Sequence, residues 1–418
     1  MSFWAPVLHF LRQTRILNRI NAFVERHNIP NLTFLFLVTA FPFFQLLKHS
    51  TLWLLPMCLF LLLQSLKSFL EEPKIDFADF LVLLILLLQI SKALTGYGRA
   101  IDALTAALLT STWFFARRFW SEANEKVFAF FSSVSLLVVS AIGVGQYVFG
   151  VAELRWVDAS RFGDIGGRVT SVFSNPNILA VYLVLYFPFS LWAAFLPQNK
   201  GRMRVFYAIS AAFGGVCILL TWSRGAWLAL LSEVFLFLLF HSSKTRFCLR
   251  FSPLLLLAVP LLPNNVKGRL YSIGDLGESS IRYRLQTWQG TWQMLAAHPF
   301  GIGVGERAWR AIYPRFAVSG TGTVMHAHNV FLQVATELGF VGLIVFSILL
   351  GKVFLSAFKR KNFMPLAAVA GALVMGLFDH LWYWPGMLVP FFAYLAFCTP
   401  REQKVTKKGR FVGILHEK

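Results

Sequence analysis

Two histidines two residues apart, His326 and His328, stand at the head of an apolar run, and three arginines, Arg224, Arg282 and Arg284, precede them in polar segments. A neutral imidazole can take a proton from a hydroxyl near pH 7. Guanidinium groups keep their charge and match phosphate oxygens in a two-pronged geometry. The set suits transfer chemistry on a phosphorylated substrate. Each residue also has a plainer reading. Arg224, in Thr221-Trp222-Ser223-Arg224-Gly225, could snorkel from a helix end to lipid headgroups. His328 could cap or bond locally. Arg168 could join a phosphate cluster. Asn175 and Asn177 flank Pro176 in an ordinary helix entry that capping alone would explain. Asp379, followed by His380, could orient a base or sit at an interface. Histidines spaced i, i+2 lack a third ligand, so no metal is expected, and no cofactor.

These residues need a frame, and the frame is apolar. Of 418 residues, 57% are hydrophobic and 14% charged, with a mean hydropathy of +0.62. A soluble chain carries about 25% charged residues. The net charge of +20 sits in short segments between apolar runs, as bilayer topology requires, which argues against a nucleic-acid partner. Twelve apolar runs are expected at 31–47, 51–70, 75–94, 100–116, 126–149, 176–196, 205–222, 225–240, 251–262, 328–350, 364–380 and 385–399. Several fall short of the roughly 20 residues that span a bilayer. The fold class is therefore an all-α integral membrane protein, about twelve transmembrane helices with one large extracytoplasmic loop.

The domain reading is a basic cytoplasmic segment at 1–30, a polytopic domain at 31–399 and a basic cytoplasmic tail at 400–418. Arg12, Arg15, Arg19 and Arg26 share a helical stripe suited to an anionic leaflet. The clusters Arg117-Arg118, Lys200/Arg202/Arg204, Lys244/Arg246/Arg250 and Lys359-Arg360-Lys361 all fall on one side, which the positive-inside rule assigns to the cytoplasm. The loop at 263–327 then lies outside, with Val151–Asn175, Trp222–Gly225 and Asp379–Trp384. The aromatics at Trp382–Trp384 read as an interfacial belt. Cys58, Cys217, Cys248 and Cys398 avoid the outer loops, so no disulfide is expected. Within the loop, Ile281, Leu285, Trp288, Trp292 and Leu295 form a helical stripe that predicts the packed face. Arg284 borders it, about 60° from Ile281, and Arg282 points about 100° the other way. Pro299 stops that helix, and Gly301, Gly303 and Gly305 make a flexible turn.

In order along the chain, Ser174-Asn175-Pro176-Asn177, Ser223-Arg224-Gly225-Ala226-Trp227, Arg284-Leu285-Gln286-Thr287-Trp288, His298-Pro299-Phe300-Gly301-Ile302-Gly303-Val304-Gly305, His328-Asn329 and Glu337-Leu338-Gly339 resemble the O-antigen ligase/polymerase superfamily of bacterial membrane glycan-transfer proteins. The resemblance runs from about Gly150 to Pro385. It implies transfer of a glycan from an undecaprenyl diphosphate carrier to an acceptor hydroxyl, inverting, without nucleotide sugar or metal. It implies that Arg224 and Arg284 bind diphosphate and that His328 serves or helps position the base. A related branch includes cyanobacterial proteins proposed as inorganic-carbon transporters. Val151–Asn177 and Gly376-Leu377-Phe378-Asp379 look close to that branch, which lacks a histidine at the position of His328. Small-anion transport is thus the competing reading, with Glu233 its main buried charge.

Overall fold

The structure, a computed structural model, describes residues 24–26, 28–40, 50–150, 167–173, 175–248, 264–273, 275, 279–318, 320–380 and 385–401. The arginines at 12, 15 and 19, the run at 251–262, most of the tail, the Trp382–Trp384 belt and Ser174 lie outside them. The described elements are helical. They are α1 (Ile29–Thr39), α2 (Ser50–Glu71), α3 (Phe77–Thr95), α4 (Ala100–Thr110), α5 (Thr112–Phe119), α6 (Glu122–Val148), α7 (Pro176–Phe195), α8 (Gly201–Leu220), α9 (Arg224–Phe240), α10 (Ser243–Cys248), α11 (Asn264–Tyr271), α12 (Ser279–Ala297), α13 (Glu306–Ile312), α14 (Val330–Arg360), α15 (Phe363–Gly376) and α16 (Pro385–Phe397).

Six of these helices are long and apolar enough to cross a membrane, and α1, α15 and α16 are shorter apolar helices. Large side chains such as Leu59, Leu63, Leu87 and Leu94 point outward, a belt that water would not tolerate and lipid does. Every apolar run within the described residues forms helix. The run at 100–116 divides into α4 and α5, because the Ser111 and Thr112 hydroxyls donate to Leu108 O (2.6 Å) and Leu109 O (2.7 Å) and compete with the helix ladder.

Helix α7 is the core. It has no charged residue and is buried along most of its length. Its polar groups are satisfied between helices, as a low-dielectric interior demands: Tyr182 donates to Ser135 Oγ (2.7 Å) and Ser190 to Ser133 Oγ (2.7 Å). One end of the bundle is locked by charge. Asp76 caps α3 and holds Arg117 (2.7 Å), which also pairs with buried Asp79 (2.8 Å) and donates to Thr399 O (2.6 Å). The opposite end gathers the C-terminus of α3, the N-termini of α7, α9 and α14, the end of α15, and α11–α13.

Candidate functional site

The site rests on a broken helix. Gly339, at φ 78°, interrupts α14 and frees two carbonyls. The turn after α12 takes them: Ile302 N donates to Thr336 O (2.7 Å) and Gly303 N to Glu337 O (3.2 Å), while Phe340 N donates to Pro299 O (3.0 Å). Lys92 Nζ reaches Phe300 O (2.6 Å) from α3. The glycines expected to give flexibility instead give close approach. A Cβ on Gly301, at φ 86°, would lie 2.5 Å from Gly339 N and 2.6 Å from Glu337 O. Gly301→Ala is therefore expected to lower stability by about 2 kcal/mol or more through strain and overpacking, which thermal unfolding of the purified protein checks.

Glu337 Oε1 accepts from Gly305 N (3.2 Å) and Gln333 Nε2 (2.9 Å), and Gln333 Oε1 accepts from Ala327 N (2.9 Å). This chain of bonds fixes the His326-Ala327-His328 segment against α14. His328 itself is left-handed, at φ 48°, a conformation that costs a non-glycine residue roughly 1–3 kcal/mol and persists only where its surroundings impose it. The turn lets Asn329 cap α14, accepting from Phe331 N (2.9 Å) and Leu332 N (3.0 Å), while its amide donates to Leu377 O (3.1 Å).

That contact brings the α15–α16 connection to the histidines. His328 Nδ1 lies 3.3 Å from Asp379 Oδ1. The His326 ring lies 4.1 Å from that of His328 and 5.3 Å from that of His380, centre to centre. Burial would raise the Asp379 carboxyl, but the hydrogen bond and charge of His328, with His326 and Arg284, hold it below the usual carboxylate range. Burial, then His328 and His380, push His326 well below the usual histidine range.

Burial likewise takes His380 from 6.5 to about 3. The unfolded chain binds a proton near pH 6.5 that folded His380 refuses, so stability falls as pH drops from 6.5 toward 3. The expected slope is about 1.4 kcal/mol per pH unit. His380→Gln should flatten this acid limb in melting curves taken between pH 7 and pH 4.

Arg224 and Arg284 converge. Arg224 opens α9 and donates to Ser272 O (2.8 Å) and Ser280 Oγ (2.7 Å). Arg284 donates to Ser280 O (3.2 Å), Ser280 Oγ (3.3 Å) and Phe378 O (2.8 Å). Phe378 precedes Asp379, so one backbone links the arginines to the histidines. Arg284 is half-buried and Arg282 exposed. The buried face of α12 is Thr287, Gly290, Thr291, Met294 and Leu295. This corrects the expected apolar stripe, in which Leu285 and Trp292 are exposed. A Cβ on Gly290 would sit 2.6 Å from Phe316 O, so the packed face begins with the small residues Thr287, Gly290 and Thr291 and turns apolar only at Met294 and Leu295. Arg284 shares it, three residues before Thr287.

Arg168, Asn175 and Asn177 form a second group. Arg168 is buried and donates to Thr221 O (2.7 Å) and Asn177 Oδ1 (2.7 Å). Asn175 caps α7 by accepting from Asn177 N (2.8 Å). These bonds hold the segment before α7 against the end of α8, three residues ahead of Arg224.

The ligand atoms of His326, His328 and Asp379 lie within 4.8 Å of one another. Asp379 thus supplies the third group of metal-binding type that the histidines lack in sequence. Gln333, Ser280 and Ser272 carried no sequence signal for a role here. Glu337 did carry one: an acid four residues after a glutamine inside an apolar run is out of place unless it has a partner.

A polytopic helical protein with paired arginines and a His–Asp couple at one end of its bundle defines the class. Residues 209–347, a third of the chain, match the family model described as O-antigen ligase, which supports membership of the O-antigen ligase superfamily. The match contains Arg224, Arg282, Arg284, His326 and His328. No curated protein matches the chain.

Proposed function

We propose that this protein is a glycosyltransferase of the bacterial cytoplasmic (inner) membrane, with about twelve spanning helices, both termini in the cytoplasm and its site on the extracytoplasmic face. It moves a glycan from undecaprenyl diphosphate to a hydroxyl of a lipid or glycan acceptor, in the assembly of lipopolysaccharide or another envelope polysaccharide. The acceptor oxygen forms the new bond to the anomeric carbon as the bond to the diphosphate oxygen breaks on the opposite face, inverting the centre. His328, oriented by Asp379, takes the acceptor proton. Arg224 and Arg284 receive the charge that develops on the departing diphosphate. Arg282, His326, Arg168, Asn175 and Asn177 support substrate binding around them, and no metal takes part.

The observation that carries this reading is the meeting of Arg224 and Arg284, from separate elements, at Ser280, with Arg284 also bonded to the residue beside Asp379. A polymerase would use the same donor and the same groups. Transport would call for charges paired between helices in mid-membrane. Glu233 is buried within α9 against Gly371, and among the described residues neither of its carboxylate oxygens has a hydrogen-bond partner. The test is purified protein in proteoliposomes with a glycan on undecaprenyl diphosphate, candidate lipid and glycan acceptors, and a chelator present throughout. Glycosylated acceptor is expected. Bicarbonate uptake with no transfer to any acceptor would overturn the reading.

A further inference from the structure

Three side chains of the candidate site form an arrangement that the transfer reaction does not need. His326, His328 and Asp379 each offer a ligand atom, and these atoms lie within 4.8 Å of one another. The backbone around them is pinned. Gln333 Oε1 accepts from Ala327 N (2.9 Å), between the two histidines. Asp379 N donates to Met375 O (3.1 Å), and Asp379 Oδ1 accepts from His380 N (2.8 Å). Bonds of this kind orient metal ligands, and a site set in advance loses little on binding.

The spacing is that of an ion's coordination shell. His328 Nδ1 and Asp379 Oδ1 lie 3.3 Å apart, longer than the roughly 2.7–2.9 Å of a charge-assisted hydrogen bond. Nitrogen and oxygen ligands about 2.0–2.2 Å from a tetrahedral zinc ion stand about 3.3–3.5 Å from each other. Two imidazoles and one carboxylate suit zinc and leave its fourth position open, whereas magnesium and calcium prefer oxygen ligands throughout. The His328 and Asp379 side chains are 20% and 13% exposed, so an ion can reach them. His326 also lines a cavity of about 1050 Å3 between α3, α4 and α14, which gives a second approach. Arg284, bonded to Phe378 O, places a fixed positive charge nearby, which weakens the ion's hold.

We propose that His326, His328 and Asp379 form an inhibitory zinc site. The binding goes beyond the transfer reaction, which uses no metal; the inhibition rests on the function proposed above. With its proton on Nδ1, facing Asp379, His328 accepts a proton at Nε2. Zinc takes the Nδ1 lone pair instead. The imidazole's proton then sits on Nε2, where the ring cannot act as a base. Nothing is oxidised or reduced, and the imidazole stays neutral throughout. Bound zinc therefore stops transfer, and a chelator restores it.

The test is cobalt(II) titration of the full-length protein in nanodiscs, stripped beforehand with a chelator, which requires no turnover. One ion per chain is expected, with the strong visible absorption of a four-coordinate site, and zinc should displace it. His326→Ala and Asp379→Ala should each weaken binding about a hundredfold, since even an outer partner of a metal ligand is worth roughly 10–100-fold in affinity. His298→Ala, at a ring packed on Tyr97 and Phe316, should leave binding unchanged. All variants are compared at melting temperatures, measured in chelator, equal to the parent's. No cobalt binding, or binding that neither of the first two variants weakens, would overturn the proposal. Site binding as expected, with transfer by the parent unaffected at saturating zinc, would overturn the inhibition. Absence of transfer even in chelator, with cobalt bound as expected, would remove the transfer reaction and keep the metal site.

Discussion

Replacing His328 with alanine is expected to lower the proposed glycan transfer by about a thousandfold, within the range of roughly 10²–10⁴ that a positioned general base contributes. The geometry explains why this residue should matter more than its neighbours. His328 is held left-handed by Asn329's cap on one side and the Gln333–Ala327 bond on the other. Its Nδ1 faces the Asp379 carboxylate. A proton on Nδ1 satisfies that carboxylate and leaves Nε2 to accept one from the acceptor hydroxyl. Asp379→Asn keeps the shape but removes the charge, so it should cost less, about tenfold to a hundredfold. Steady-state rates, with melting temperatures as the control for folding, check both. An alanine variant within threefold of the parent would remove His328 from the proposed chemistry.

Arg224→Ala and Arg284→Ala are each expected to cost about a hundredfold in rate, or about 3 kcal/mol of stabilisation of the leaving diphosphate. Lysine should restore little, because a point charge lacks the planar fork that grips two oxygens. The double variant should lose much less than the product of the two single losses. Both guanidiniums donate to Ser280 Oγ, so removing one already loosens the other, and groups acting as a unit are not additive. Transfer rates of the four-member cycle at saturating acceptor give the coupling directly. Full additivity would mean that the two arginines serve separate sites.

The helices were legible because lipid requires uninterrupted apolar stretches, and each described run became helix. What the sequence obscured were features set by backbone rather than by side-chain hydrophobicity. The division at Ser111 arises from hydroxyls bonding to their own helix. The packed face of α12 runs through Thr287 and Gly290 because close approach needs small residues, while Leu285 and Trp292 carried the apolar signal and remain exposed. Gly301, Gly303 and Gly305 read as a flexible turn, and the segment that carries them instead docks against the break at Gly339. Arg284, His328 and Asp379 were picked out as candidates by residue type and order. Their mutual arrangement was not, since Ser280 and the Phe378 carbonyl join them only after α12 folds back onto the end of α15.

The most direct measurement is the carrier lipid released during transfer. Purified parent protein, given a radiolabelled glycan on undecaprenyl diphosphate and an acceptor, should release one undecaprenyl diphosphate for each glycan joined, with an inverted linkage. Release should fall with His328→Ala in step with transfer. Glycosylated acceptor that retains the donor's anomeric configuration, or appears without matching carrier release, would contradict the account.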